Sequence, residues 1–401
     1  MKLRYRLSII VIAVLVMAVV AISSILLYHA SSIQMAAALE SQERLAAEQA
    51  RVIQMRYEGY LRVVNTLAGM MADFDKTDPG GQRSRFNQIL QSVLESEERI
   101  IAVYAVFKPN TIDAGWDASF AGLPGNTETG QYADWYTRRS GEIEHLTYDD
   151  IQTVMDILNG PDARKEWIYD PVPQPVAGRN TYTVKVSVPI IHRLTNQVVG
   201  RVGVNVDIAY TQPVVEDTIK SNLDISAMTV YSAKGFIIAS GVVDQVGQML
   251  KDAQSSLYKV NADIAQNAVV YGEKKRFKEF SEVLQKDLEL ILYPFTIGET
   301  GVSWSLMLGT EKDLVLAEIK DMTSFTIILA VIAAVLIAVI IYLVTGNITK
   351  PILNVALTLK DISEGEGDLT KTVNINSKDE IGDLARYFNA TLEKIKNLVV
   401  T

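Results

Sequence analysis

The chain has 401 residues, 48% of them hydrophobic, and a formal net charge of −9. That length accommodates two or three folded units plus membrane helices, and the acidic balance speaks against nucleic-acid binding, which needs a basic face. With no cysteine and only His29, His145 and His192, spaced far apart, disulfides, thiolate zinc sites, cysteine nucleophiles and an HExxH metal centre are excluded.

Lys2, Arg4 and Arg6 precede an uncharged apolar run from Leu7 to Tyr28. A cleaved signal peptide begins in the same way, but its apolar core is only about 7–15 residues long and ends at a small-residue site. Ala21-Ile22-Ser23, the best such site, lies inside the run, so the reading is an uncleaved transmembrane helix over 7–28. The positive-inside rule keeps residues 1–6 in the cytoplasm.

Residues 31–75 read as one long helix without proline. Ile53, Tyr57, Tyr60, Val64, Leu67 and Met71 recur in steps of four and three, and Ala46 and Ala50 extend the stripe backwards. Its second half is expected to pack on a globular domain and its first half to pair with a second subunit. Pro79-Gly80-Gly81 ends the helix. Arg85–Glu98 reads as a shorter amphipathic helix and Ile100–Phe107 as a buried strand. A loop follows with Trp116, Phe120 and a Gly/Pro/Asn cluster, and continues through Gln131–Asp150. Asn180–Ile191 and Val198–Tyr210 form a hairpin around Asn196-Gln197, and Pro213–Ile225 reads as helix.

A second unit then starts over. Ala227–Ser240 is strand, turn, strand, and Lys274–Gly298 with Ser303–Leu314 adds strands around a helix. The external region thus holds a distal unit over 76–220 and a proximal one over 221–310, with no close sequence repeat between them. An uncharged run bounded by Asp321 and Lys350 supplies a second transmembrane helix over 322–345. Two crossings place 29–321 outside, in a bacterium the periplasm, and 346–401 in the cytoplasm.

Beyond that helix, Ile348, Ile352, Val355, Leu359 and Ile362 step by four and three, as do Ile381, Leu384, Phe388, Thr391, Ile395 and Leu398. Short helices with seven-residue apolar seams need partners. One chain supplies two such helices, so a dimer supplies four and closes a bundle, with Val373 and Ile375 of the connector capping it. An ordinary juxtamembrane coiled coil is the competing reading.

The order of these segments resembles the double-Cache (dCache) sensors of bacterial methyl-accepting chemotaxis proteins, in which two PAS-like modules stack on one long helix. Residues 346–401 are similar to a HAMP linker, through Pro351, the connector Gly367–Leu369 and the run Asp379–Gly382. The resemblance implies an α/β fold flanked by transmembrane helices and followed by a helical bundle, with signal relay through Pro351, Gly367, Leu369, Glu380 and Ile381.

Many dCache sensors hold amino acids with an Arg near a Trp-Tyr pair and a later Tyr and Asp. Trp135-Tyr136 matches the pair, but Ala133 or Gln131 stands at the Arg position, and neither offers a carboxylate fork. The later positions fall at about Val172 and Gln174, and the acidic one at Asn205, with Asp207 two residues on. Amino-acid specificity is therefore not carried over. What remains is an aromatic set, Tyr104, Trp116, Tyr132, Trp135 and Tyr136, with Asp134 inside it. Aromatic faces with a carboxylate suit an organic cation, hence an amine ligand. Alternatives are that Trp135 and Tyr136 are core and Asp134 caps a turn, that the ligand is another small polar metabolite such as a nucleobase, or that a separate binding protein docks.

The expected function is a homodimeric transmembrane chemoreceptor. It needs no cofactor or metal and engages a CheA/CheW-type kinase complex through an output domain beyond Thr401. No P-loop, GxSxG or HExxH is present, so no catalysis is expected. The sensor half of a histidine kinase or nucleotide cyclase would share the same front end. A membrane-anchored binding protein without output is the third class, and the two well-formed seams argue against it.

Overall fold

The computed structural model describes residues 3–76, 81–222, 224–364, 372–375 and 379–399. Helix α1 spans Leu3–Met71, and a 3-10 turn at Phe74–Lys76 follows it. Next come α2 (Gln82–Ser96), β1 (Ile100–Phe107), 3-10 turns at Ile112–Gly115 and Asp117–Phe120, β2 (Ala133–Thr137), β3 (Glu144–Thr147) and α3 (Ile151–Asn159). Strands β4 (Trp167–Ile168), β5 (Val172–Val176), β6 (Arg179–Ile191) and β7 (Val198–Asp207) complete a seven-stranded antiparallel sheet of order β3-β2-β1-β7-β6-β4, with β5 beside β6.

The 3-10 turn Ile208–Thr211 and α4 (Gln212–Ser221) lead into β8 (Ile225–Tyr231) and β9 (Ile237–Ser240). Short helices α5 (Leu250–Ala253), α6 (Ser255–Tyr258) and α7 (Ala262–Tyr271) precede β10 (Lys275–Ser281), β11 (Lys286–Thr296) and β12 (Ser303–Glu311). These strands form a second antiparallel sheet of order β10-β11-β12-β8-β9. Both sheets place their first strand between its hairpin partner and their last strand. Two modules of one topology therefore sit in a chain without a close sequence repeat.

The chain divides into two units, Met35–Leu316 and Met1–Gln34 with Ala317–Thr401. In the first, alternation decides which strand faces are buried. Val184, Val186, Val188 and Ile190 of β6 and Val202, Val204 and Val206 of β7 face the core, joined by Phe86, Leu90 and Leu94 of α2. Every apolar position of the α1 stripe from Ala46 to Met71 is buried in that same core. The first half of the stripe thus packs on the proximal sheet of its own chain, because Trp304, Leu306 and Leu308 of β12 meet it there.

Two sequence expectations need correcting. Residues 131–150 are not one loop: ADWYT forms β2, buried on both faces, so it lacks the half-polar alternation that marks a strand. Lys274–Gly298 holds no helix; β10 and β11 pair directly from Lys275↔Leu292 to Ser281↔Lys286, and the helix, α7, comes before them.

Polar contacts fasten α1 to the proximal sheet. The Gln42 amide donates to the backbone carbonyls of Glu289 (2.6 Å) and Leu308 (3.2 Å). Arg276 donates to Gln42 Oε1 (2.9 Å), the Leu39 carbonyl (2.8 Å) and Glu43 (3.0 Å), and Lys274 pairs with Glu43 at 2.6 Å. Lys274 and then Arg276 hold the Glu43 carboxyl below the ordinary range. The contribution of Glu43 is therefore present above the ordinary carboxylate range and fades as pH falls through its own lowered pKa. Because these groups are partly solvated, Glu43→Gln is expected to cost under about 1 kcal/mol in denaturant melts near neutral pH. The cost should shrink in molar salt; a salt-independent loss would contradict a screened ion pair.

The two modules also grip each other. Asp170, between β4 and β5, accepts from Ser232 Oγ (2.7 Å) and the Lys234 N–H (3.2 Å) in the β8–β9 turn. Gly247 lies under the Tyr182 ring, where an added Cβ would come within 2.1 Å of the ring.

In the other unit, α1 and α8 (Lys312–Glu364) each carry an uncharged apolar stretch long enough to cross a membrane, with side chains left exposed. Helix α9 (Glu380–Val399) is capped by Asp379, whose carboxylate accepts from the N–H groups of Ile381 (3.1 Å) and Gly382 (3.2 Å). Val355, Val373 and Ala385 form a small core with Ile375 and Phe388. Asn389 pairs twice with the Val373 backbone, accepting at 2.9 Å and donating at 2.8 Å. Within one chain Ile348, Ile352, Leu359, Leu384 and Ile395 stay exposed. Pro351 sits inside α8, and Glu380 opens α9. Gly367 and Leu369, and the side chains of Ile362 and Leu398, lie outside the described residues.

Candidate ligand site in the distal module

The face of the distal sheet turned away from α1 carries its polar chemistry. Because β6 buries Val184 and Val186 toward α1, Lys185 and Ser187 project the other way, as do Arg201 and Asn205 of β7. Lys185 pairs with Asn205 in register and Ser187 with Gly203, while Tyr104 of β1 lies opposite both Gly203 and Trp135 of β2. Gly203 is needed because the Tyr104 ring crosses it, and an added Cβ would come within 2.6 Å of that ring. Val154 and Leu158 of α3 and Tyr148 pack over this face with Tyr104 and Trp135.

An aromatic box results. Tyr148 stacks on Tyr104 at 4.3 Å and 13°, and meets Trp135 edge-on at 5.9 Å. Into the box reaches the Lys185 ammonium, 4.7 Å from the Tyr169 ring centroid and 5.9 Å from that of Tyr148. It donates to Tyr148 Oη and to Asp150 Oδ2, both at 3.2 Å. The Asp150 side chain is 43% exposed and that of Lys185 17%, so the pair lies where solvent meets the box. Burial raises the phenol pKa values of Tyr104, Tyr148 and Tyr169, keeping them neutral donors. Arg201, fully buried, donates to the carbonyls of Ala163, Lys165 and Ser187, and burial lowers its pKa. It braces the strand β4 that carries Trp167.

Among the described residues, no hydrogen-bond partner reaches Trp135 Nε1, Trp167 Nε1 or Asn205 Oδ1, although all three atoms are buried. Buried polar atoms are nearly always partnered by protein or water, so two indole donors and an amide acceptor on one sheet face are open to water or to a bound polar group. The amide nitrogen of Asn205 is used, donating to Gln174 at 3.3 Å. No group of three or more His, Asp or Glu converges among the described residues to hold a metal.

The aromatic set read from the sequence is divided by the sheet. Tyr104 and Trp135 belong to this box. Tyr132, Asp134 and Tyr136 alternate onto the α2 side, where Tyr132 Oη donates to Asp134 (3.1 Å) and accepts from the Asn87 amide (2.8 Å). There His145 Nε2 lies 2.5 Å from Asp134 Oδ1, and its ring stacks on Tyr136 at 4.4 Å. Burial raises the Tyr136 pKa to about 12. Trp116 is 69% exposed on the loop before β2. Asp207 accepts from Thr181 Oγ1 (2.6 Å) and caps the turn after β7 through the Ala209 N–H (2.9 Å). The carboxylate beside the box is therefore Asp150, not Asp134, and a cation already occupies it. Sequence reading missed Tyr148, Asp150, Tyr169 and Lys185; the charge inside the β-pattern TVKVSV was the available signal.

Residues 343–397 match the HAMP domain family. The chain is 24% identical over 345 residues to the methyl-accepting chemotaxis protein TlpQ of Pseudomonas aeruginosa, covering 79% of this chain and 46% of that one. It is 28% identical to PctB of the same organism, another methyl-accepting chemotaxis protein, over 57% of this chain and 36% of PctB. The chain thus spans under half the length of these curated relatives. Among solved structures, the periplasmic sensory domain of the Campylobacter jejuni chemoreceptor Tlp1 superposes with a TM-score of 0.51 at 18% identity. That match covers 69% of this chain and 96% of Tlp1's domain. An extracellular domain assigned to a histidine kinase, mmHK1S-Z3, gives 0.58 at 19% identity over 71% of this chain and 98% of its own.

Proposed function

We propose that this chain is an inner-membrane receptor whose periplasmic sensor is of the methyl-accepting chemotaxis type, a reading supported by two membrane-length helices, a HAMP domain and chemotaxis-protein relatives, and that its distal module senses a small metabolite carrying an amine and a nearby acceptor group. The Lys185–Asp150 pair inside the tyrosine box carries this reading. The ligand ammonium would take Asp150 and the tyrosine faces. The displaced Lys185 ammonium and Trp135 Nε1 would then donate to the ligand's carboxylate or carbonyl. A ligand with an amine alone would have to compete with Lys185, whereas one with both groups satisfies every charge in the box.

Binding would change the side-chain arrangement on β6 and β7, whose other faces pack against α1. It would bias signalling only as far as the ligand binds two arrangements unequally. The exposed seams of α8 and α9 support pairing with a second copy, with Pro351, Gly367, Leu369, Glu380 and Ile381 as relay positions between membrane helix and output. In this reading the chain acts as a receptor rather than an enzyme, feeding a CheA/CheW-type kinase complex. The curated relatives favour chemotaxis over a kinase or cyclase output, since the kinase likeness is one of fold alone.

Calorimetry on the full chain in nanodiscs tests the ligand reading with β-alanine, n-butylamine and butanoate. Asp150→Asn is expected to weaken both amines about 10- to 100-fold, the worth of a charge-assisted hydrogen bond. Lys185→Met should weaken β-alanine but spare or tighten n-butylamine. Binding of butanoate with neither amine binding would sink the proposal.

A further inference from the structure

A second cavity lies in the proximal module, between the sheet face and the short helices α5 and α6. It measures about 270 Å³, near the lower end of ligand pockets. Strands β8, β9, β11 and β12 supply Thr229, Ser240, Leu288 and Met307, and Gln254 and Leu257 close the opposite wall. Turns at 241–245 and 281–285 border it, presenting Val242, Val283 and Leu284, which are 38%, 66% and 37% exposed. Apolar side chains thus line an opening above a buried polar floor.

The floor is a network of neutral groups. Gln254, 3% exposed, donates to Gln245 Oε1 (2.9 Å) and Thr229 Oγ1 (3.3 Å), and accepts from Tyr231 Oη. Thr229 and Ser240 hydroxyls lie 3.3 Å apart. Hydroxyl hydrogens rotate, so the network can offer a donor or an acceptor to a guest. The one ionisable lining residue, Glu282, has a side chain 61% exposed and faces Lys259 at 4.0 Å. A charged guest would be desolvated with no opposite charge on the floor, which disfavours its binding. An uncharged guest meets apolar walls and hydrogen-bonding groups.

The position has a counterpart. In the distal sheet the candidate site rests on the corresponding strands, the first, its hairpin partner and the last two, beneath α3. Here the cavity floor itself carries no charged side chain, the charges of that face, Glu279 and the Lys286–Glu311 pair, lying outside the lining, and Gln254, Ser256 and Leu257 at α6 cover it. Ile219 of α4, the helix that joins the modules, also lines the cavity and lies 2.8 Å from where a Cβ on Gly241 would be. Occupancy would therefore bear on the intermodule helix.

We propose that this cavity is a second ligand site, for a small uncharged molecule with a hydroxyl or amide head on an apolar body. It is independent of the distal reading, and the two are separable. The test uses the full chain in nanodiscs and the six-carbon probes hexanamide, hexanoate and hexylamine, followed by calorimetry and saturation-transfer NMR. Hexanamide is expected to bind saturably, with hexanoate and hexylamine at least 10-fold weaker. Ala227→Leu, which fills the cavity, and Gln245→Leu, which removes one hydrogen-bonding wall, should each abolish hexanamide binding with the melting transition retained. Lys185→Met should leave it unchanged. Absence of saturable hexanamide binding would overturn the proposal. So would equal binding of hexanoate, loss in Lys185→Met, or survival in both cavity variants.

Discussion

Arg83→Met should cost about 3–5 kcal/mol of stability, the cost of breaking a buried ion pair from one side. Arg83 is 3% exposed and stands in the first turn of α2. Its guanidinium donates to Asp113 (2.7 Å), Asp117 (2.5 Å), the Gly130 carbonyl (2.7 Å) and Asn126, and stacks 4.1 Å from the Phe120 ring centroid. Two carboxylates, 8% and 5% exposed as whole residues, pair with it. Gly130 makes the arrangement tight: its φ is +83°, and a Cβ there would lie 1.6 Å from the Asp117 carbonyl oxygen. The network ties the loop before β2 to α2, so its loss loosens the edge of the sheet that bears Trp135. Denaturant melts of the full chain would read the loss against a typical total of about 5–15 kcal/mol. Arg83→Met with Asp113→Asn and Asp117→Asn should recover part of it, since no unpaired charge then remains. A single variant as stable as the parent would show that the carboxylates find other partners.

That network also shows why the site was only half legible. Arg83 reads as an ordinary polar residue at a helix start, and nothing local announces partners 30 to 47 residues away. Elements with a single period were readable: β1 as an apolar run, β6 and β7 as alternating strands, the α1 stripe at helical spacing. Strand β2 was not, because a five-residue segment buried on both faces has no periodicity to show. Trp135 and Tyr136 were singled out together, but adjacent strand residues point to opposite faces. Only the sheet decides that Trp135 joins Tyr104 while Tyr136 joins His145. The box is assembled from β1, β2, β6 and the segments around Tyr148 and Tyr169, so its members share no spacing. Lys185 showed its charge but not its surroundings for a related reason: outward from the α1 core reads as outward to water until α3 and Tyr148 are in place.

Trp304→Ala is the other large effect expected, again about 3–5 kcal/mol, the range for deleting a fully buried large aromatic side chain. Trp304 of β12 is 1% exposed, its ring 4.7 Å from that of Tyr57 on α1 and 6.4 Å from that of Phe295. Tyr57 in turn shares a 3.0 Å hydrogen bond with Thr211, at the junction between β7 and α4. Three parts thus meet at one side chain: the long helix, the proximal sheet and the segment leaving the distal sheet. A change in the distal module can move α1 relative to the proximal sheet only if this seam holds as a packed unit. Trp304→Phe should retain most of the stability, because an edge-on contact with Tyr57 survives. Tyr57→Phe should cost only about 1 kcal/mol, one buried hydrogen bond. A double-mutant cycle with Tyr57→Leu and Trp304→Leu is expected to show coupling of about 0.5–1.5 kcal/mol, the worth of the aromatic pair beyond its burial. Additive losses would mean that each ring is held by its own surroundings and that the seam does not join helix to sheet.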